Sequence, residues 1–196
     1  NEDAKVTDEK AKSGKNSLKI FSTSTSGGPT DLVLPFGGRY TTGNFNFKMS
    51  LFVPTGKNAY FNFQATPTIG QTWAMDANFN TNGNMMLTRS AAPLLNAVFP
   101  LDEWFEVEFD INLTANLWKV KINGTCVGAF SNPTNSIASI DYYPTSNTSL
   151  YYVDDVSYEY TPSAPKLAVD GGISELVWSK GILSGTKDSP EFIFKN

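Results

Sequence analysis

The sequence predicts an all-β chain folded as a two-sheet antiparallel sandwich, and three observations carry the prediction. Apolar residues recur at every second position along many short segments, helical spacing does not recur, and turn-forming dipeptides separate the segments. The composition agrees. Of 196 residues only 17% are charged while 13% are aromatic, and Asn, Thr, Ser and Gly are abundant, which is the profile of turn-rich extracellular β proteins.

The strands read off in order. Over 44–53, Phe45, Phe47, Met49, Leu51 and Val53 share one face, with Asn46, Lys48 and Ser50 opposite. Over 59–65, Phe61 and Phe63 alternate with Tyr60, Asn62 and Gln64. Over 73–80, Trp73, Met75, Ala77 and Phe79 alternate with Ala74, Asp76, Asn78 and Asn80. Over 104–127, Phe105, Val107, Phe109 and Ile111 form one face, a turn near 114–116 reverses the chain, and Trp118, Val120 and Ile122 return. Gly27-Gly28-Pro29, Gly37-Gly38, Asn82-Gly83 and Asn123-Gly124 supply the reversals. The expected sandwich spans 1–160. Residues 161–196 read as a linker and a short C-terminal β extension with strand candidates at 175–178 and 191–195, either packed on the sandwich or opening an Ig-like module.

The composition also excludes function classes. A net charge of −4 without a basic cluster gives no footprint for nucleic acid or an anionic membrane. No apolar run approaches the ~18 residues that a bilayer-spanning helix needs, so no membrane insertion is expected. The chain contains no histidine, the commonest general base and transition-metal ligand. Cys126 is the single cysteine and is expected to be a small buried hydrophobe on a strand. The numbering is expected to start after processing or inside a larger protein, in an extracellular or cell-surface setting.

Segments 11–20, 30–38, 102–111, 122–125 and 151–158 together resemble the LamG/MAM-type jelly rolls, of concanavalin A-like fold, that are appended to secreted multidomain Bacteroidota proteins. The resemblance covers about residues 3 to 160. It implies an ancillary module for carbohydrate binding or adhesion, often in proteins exported by the type IX route. It also implies a structural Ca²⁺ held by the final strand and the turn before the first "SL" strand. By that resemblance Asp155 and the carbonyl of Lys15 are the leading ligands, with Asp3 and Asp154 behind them.

Three further constellations bear on function. Glu106, Glu108 and Asp110 share a strand face, and laminarinase-type glycoside hydrolases of this fold carry an alternating E-x-D-x-E strand. Here, however, a hairpin register pairing Asp110 with Lys119 and Glu108 with Lys121 predicts a cross-strand charge ladder that keeps the carboxylates ionised. The polar face formed by Tyr60, Asn62, Gln64, Asp76, Asn78 and Asn80 offers a ring and planar amides to a saccharide, a mixture that a plain solvated face also shows. Trp73, Trp104 and Trp118 are expected in core or edge packing, and Arg39, Tyr40 and Arg89 are placed at a cleft rim. Asn112, Asn123 and Asn147 match the glycosylation acceptor pattern by chance, with Asn123 expected in a turn. The first expectation is a non-catalytic module binding a polysaccharide or surface glycan. The second is a structural or protein-interaction module contacting neighbouring domains, and a glycoside hydrolase requires the Glu106 face to be free of lysine.

Overall fold

Period-two alternation places large apolar side chains on one side of each strand, and two sheets bury them against one another. A computed structural model describes residues 4–28 and 31–163. In chain order the strands are β1 (Ala4–Thr7), β2 (Ser17–Phe21), β3 (Leu32–Tyr40), β4 (Asn44–Phe52), β5 (Ala59–Gln64), β6 (Trp73–Phe79) and β7 (Asn84–Arg89). They continue with β8 (Ala92–Val98), β9 (Trp104–Asn112), β10 (Leu117–Ile122), β11 (Thr125–Phe130), β12 (Ile137–Tyr142) and β13 (Leu150–Thr161). One sheet has seven strands in the order β1-β2-β13-β4-β9-β10-β11, and the other has six in the order β3-β12-β5-β6-β7-β8. All strand pairs are antiparallel, and among the described residues there is no helix. This is the predicted jelly-roll sandwich. The final strand reaches Thr161 and the first unit ends at Ser163, so the expected extension over 161–196 lies almost wholly outside the described residues.

The seven-stranded sheet contributes Phe45, Phe47, Met49 and Leu51 from β4, then Phe105, Val107, Phe109 and Ile111 from β9, all at most 1% exposed. The six-stranded sheet answers with Phe61, Phe63, Met75, Ala77, Met85, Leu87 and Ile140. Phe63 sits at the meeting point. Its ring centroid lies 5.3 Å from Phe47 and 5.1 Å from Phe109, both edge-on, and 6.3 Å from Trp118. Edge-to-face contacts of this kind add to the area each ring removes from water.

Registers in the β9–β10 hairpin match expectation: Asp110 faces Lys119 and Glu108 faces Lys121. Asn123 and Gly124 close the next hairpin, between β10 and β11, with φ of 49° and 76°, the left-handed pair an Asn-Gly turn needs. Asn123 Oδ1 also accepts the Glu106 amide, so its side chain is committed to the turn. The two-residue Asn123-Gly124 turn sets Cys126 opposite Lys121, whose side chain points away from the core, and a bulge at Val127 lies beyond that pair. Cys126 is therefore exposed on the edge strand β11, not buried. Where β11 meets β8, the other sheet's edge strand, Gly128 leaves room for Leu95, and a Cβ there would collide with the Leu95 methyl.

Two outcomes follow from this packing. Phe63→Ala is expected to lower the unfolding free energy by about 3–5 kcal/mol in denaturant titration, as for other buried Phe truncations. Cys126 is expected to react with a small aromatic disulfide in the folded protein as fast as it does in denaturant, whereas protection in the native state contradicts its exposure.

Candidate functional site

Strand register assembles three rows across the outer face of the six-stranded sheet. The first contains Pro35, Ser139, Gln64 and Trp73, the second Val33, Asp141, Asn62, Asp76 and Thr88, and the third Tyr60, Asn78, Met86 and Asn96. Trp73 is the residue most displaced from expectation. Simple alternation puts it inside with Met75, but a bulge pairs Gln64 with Trp73 and Phe63 with Met75, so Ala74 is the extra residue. The indole moves to the outer face and is 37% exposed.

The expected saccharide-binding residues separate into three groups. Tyr60, Asp76 and Asn78 are half-buried on the face, with Tyr60 Oη donating to Asp76 Oδ1 at 2.6 Å. Burial and that hydrogen bond push the Tyr60 phenol well above its ordinary value. Asn62 and Gln64 are only 2% and 1% exposed and point into a polar cluster centred on Asp141. Asn62 Nδ2 donates to Asp141 Oδ2 at 2.9 Å, and Gln64 Nε2 does so at 3.5 Å. Asn80 lies past the end of β6, where its Oδ1 accepts the amides of Asn82 and Asn84, so it closes a turn and is not free for a ligand.

The cluster is under-satisfied. Asn62 Oδ1, Ser139 Oγ and Asp141 Oδ1 are buried and make no hydrogen bond. Two of these atoms can only accept, and the third can donate or accept. Burial pushes the Asp141 carboxyl up from 3.8 to about 6; the Asn62 amide opposes the shift and the Asp31 carboxylate reinforces it. Sequence reasoning missed both Ser139 and Asp141, although their alternation with Ile140 and Tyr142 is plain in the chain.

Beside Ser139 lies a groove of about 210 Å³ between β3 and the 65–72 loop. Pro35, Gly37 and Gly38 form one side, Pro67 and Ile69 the other, and Ala138 and Ser139 the floor. The loop is fastened by the Gly70 amide donating to Gln64 Oε1 at 2.7 Å. Arg39 and Arg89, expected at a rim, instead hold the segment before β12, donating through Nε to Ser136 Oγ at 3.0 Å and Thr134 Oγ1 at 2.7 Å. Tyr40 packs its ring against Phe45 and Tyr160 and donates to the Phe36 carbonyl.

On the opposite sheet, the carboxylate row is laced with lysine. Lys121 Nζ lies 3.0 Å from Glu108 and 3.8 Å from Asp110, and Lys48 Nζ lies 3.4 Å from Glu108 and 4.0 Å from Glu106. Burial alone would raise the Glu108 carboxyl, yet the Asn46 amide and the two lysines hold it below the ordinary value. A catalytic acid needs the opposite shift, so the condition set for a hydrolase on this face is not met.

Of the residues named for calcium, Asp154 and Asp155 are engaged within the chain: Asp154 Oδ2 accepts the amides of Lys12 at 2.7 Å and Ser13 at 3.2 Å, and Asp155 Oδ1 accepts the Ser13 hydroxyl. Lys15 is exposed, and Asp3 lies outside the described residues. Among the described residues, no three His, Cys, Asp or Glu side chains are grouped to hold a metal. What the carboxylates do is pin the 12–13 turn to β13, at a bulge where Asp155 adopts a φ of 49°.

No protein-family model and no curated protein matches the sequence. Solved structures do match. The cellulose-induced protein Cip1 aligns with a TM-score of 0.55 at 15% identity, over 82% of this chain and 88% of that one. A variant of alginate lyase A1-II′ aligns at 0.54 and 15%, over 74% and 80%. A sialidase aligns at 0.56 and 13%, over 76% of this chain but 16% of the sialidase. At such identities the likeness is one of fold, the concanavalin A-like jelly roll.

Asp141 yields a pH prediction. Its proton is held more tightly in the folded than the unfolded chain, so its contribution to stability falls as pH rises from about 4 to about 6. Above that window the ionised group costs about 3 kcal/mol, from two pKa units at about 1.4 kcal/mol each. Asp141→Asn, which can offer Asn62 both a donor and an acceptor, is expected to flatten this slope and to raise the unfolding free energy at pH 8 by about 1–3 kcal/mol. Denaturant melts at pH 4, 6 and 8 measure both.

Proposed function

We propose that this chain is a non-catalytic carbohydrate-binding module of a secreted or cell-surface protein, with the outer face of the six-stranded sheet as its glycan platform. One observation carries the reading: an exposed indole, Trp73, stands on the same outer face as a half-buried polar surface. A sugar supplies both complements, C–H faces for the ring and hydroxyls for the polar groups. Tyr60, Asp76 and Asn78 extend the surface with a second aromatic and further hydrogen-bonding groups.

Two considerations favour binding over catalysis. The chain offers no histidine, and the carboxylate row on β9 is neutralised by lysine. The protein-interaction reading drew on residues 166–196, which lie outside the described residues, and gains no observation of its own.

Affinity electrophoresis in gels containing soluble polysaccharides, beside a glycan array, tests the proposal. Trp73→Ala is expected to weaken binding of any retained glycan at least tenfold, or about 1.4 kcal/mol, with Tyr60→Ala and Asn78→Ala weakening it less and thermal melting preserved for Trp73→Ala. Retention unchanged by all three substitutions removes the face from consideration.

A further inference from the structure

We infer that the groove beside Ser139 is a subsite for a single sugar residue at a glycan chain end; the inference rests on the glycan-binding reading above. The floor supplies the first argument. Ser139 is 3% exposed, its hydroxyl makes no hydrogen bond, and it lies in the groove lining. A buried hydroxyl without a partner is uncommon in folded proteins, and Ser139 keeps one beside the groove. Its neighbours across the register are Gln64 and Pro35, and two residues further along β12 the unpaired oxygens of Asp141 and Asn62 continue the acceptor row.

The walls supply the second argument. Pro35, Pro67 and Ile69 present apolar surface, and Ile69 remains 49% exposed, which an occupant would cover. On the Pro35 side, Gly37 and Gly38 leave bare backbone, and Gly37, at a φ of +83°, has nothing within 4 Å of where a Cβ would stand. Apolar sides with a hydroxyl at the base match a pyranose or furanose ring, whose faces are C–H and whose edges are O–H.

Size and enclosure make the occupant a terminus. The volume of about 210 Å³ falls below the roughly 300–1,000 Å³ that encloses drug-sized ligands, leaving space for one ring. The 65–72 loop, fastened over Gln64 by the Gly70 amide, stands between the groove and Trp73 in the same row. A chain lying across Trp73 meets that loop as a wall. The groove therefore takes an end residue, while the exposed indole serves the remainder of the chain.

The test titrates the labelled protein by amide NMR with the methyl α- and β-glycosides of glucose, galactose, mannose, xylose and fucose. At least one is expected to shift the amides of residues 68–70 and 138–139. For that glycoside, Ser139→Ala is expected to weaken binding about tenfold and the solvent-exposed truncation Ile69→Ala about threefold, with both variants melting as the parent does. Oligosaccharides of two to four residues ending in the same sugar are expected to bind within threefold of the monosaccharide in a Trp73→Ala background. A polysaccharide that binds through Trp73 while no glycoside perturbs the groove, or while both groove variants bind unchanged, overturns this inference and leaves the glycan-binding reading intact. Affinity climbing steeply with chain length in the Trp73→Ala background also overturns it. Failure of every polysaccharide and glycoside to bind removes both readings together.

Discussion

Each side chain in this sandwich is assigned to core or surface by the parity of its position on a strand, and the aromatic clamp at Phe63 enforces that parity. Phe63 on β5 meets Phe47 and Phe109 from the facing sheet edge-on. A slip of one residue in β5, β4 or β9 would turn these rings to water and bring Gln64, Lys48 or Glu108 inside. The penalty fixes the register of the central strands, and every feature of the outer faces inherits it. The lysine–carboxylate ladder on one sheet and the three rows on the other are the reverse sides of the same alternation.

Bulges are the places where parity changes without disturbing the clamp. The one at Gln64 and Trp73 sits at the end of β5, beyond Phe63, so the core keeps its rings while an indole crosses to the outer face. The one opposite Val120/Lys121 adds Val127 to the edge strand β11, beyond the Lys121–Cys126 pair. A third, in β13 between Asp154 and Ser157, bends the final strand where two carboxylates tie down the 12–13 turn. In each case one additional residue interrupts the ladder locally.

Alternation makes the strands legible in the chain itself, and with them the two sheets, the β9–β10 register and the Asn123-Gly124 turn. The charge ladder is legible only in part: Lys121 pairs Glu108 as register sets it, but Lys119 makes no ion pair with the Asp110 it faces, and Lys48 of β4 joins the row. The polar face is legible as a face but not as a surface with depth. Nothing in Tyr60, Asn62 and Gln64 read as a strand distinguishes a half-exposed ring from amides that are nearly enclosed, since enclosure comes from Asp141 and from a loop pinned by Gly70. Trp73 departs from its expected place because a one-residue bulge leaves no mark in composition, and Cys126 departs because it takes the outward parity of Lys121 across the Asn123-Gly124 turn. The calcium expectation followed resemblance, and the turn it named is tied to Asp154 and Asp155 by hydrogen bonds.

The meeting of β8 and β11 carries a consequence for the molecule in company. These are terminal strands of their respective sheets, and terminal strands offer unpaired backbone groups on which foreign strands can template. Gly128 lets Leu95 seat against β11, so two of the vulnerable rims turn toward each other. A larger residue at that glycine would prise the rims apart. Colloidal behaviour at high concentration, as much as folding, thus depends on one missing methyl group.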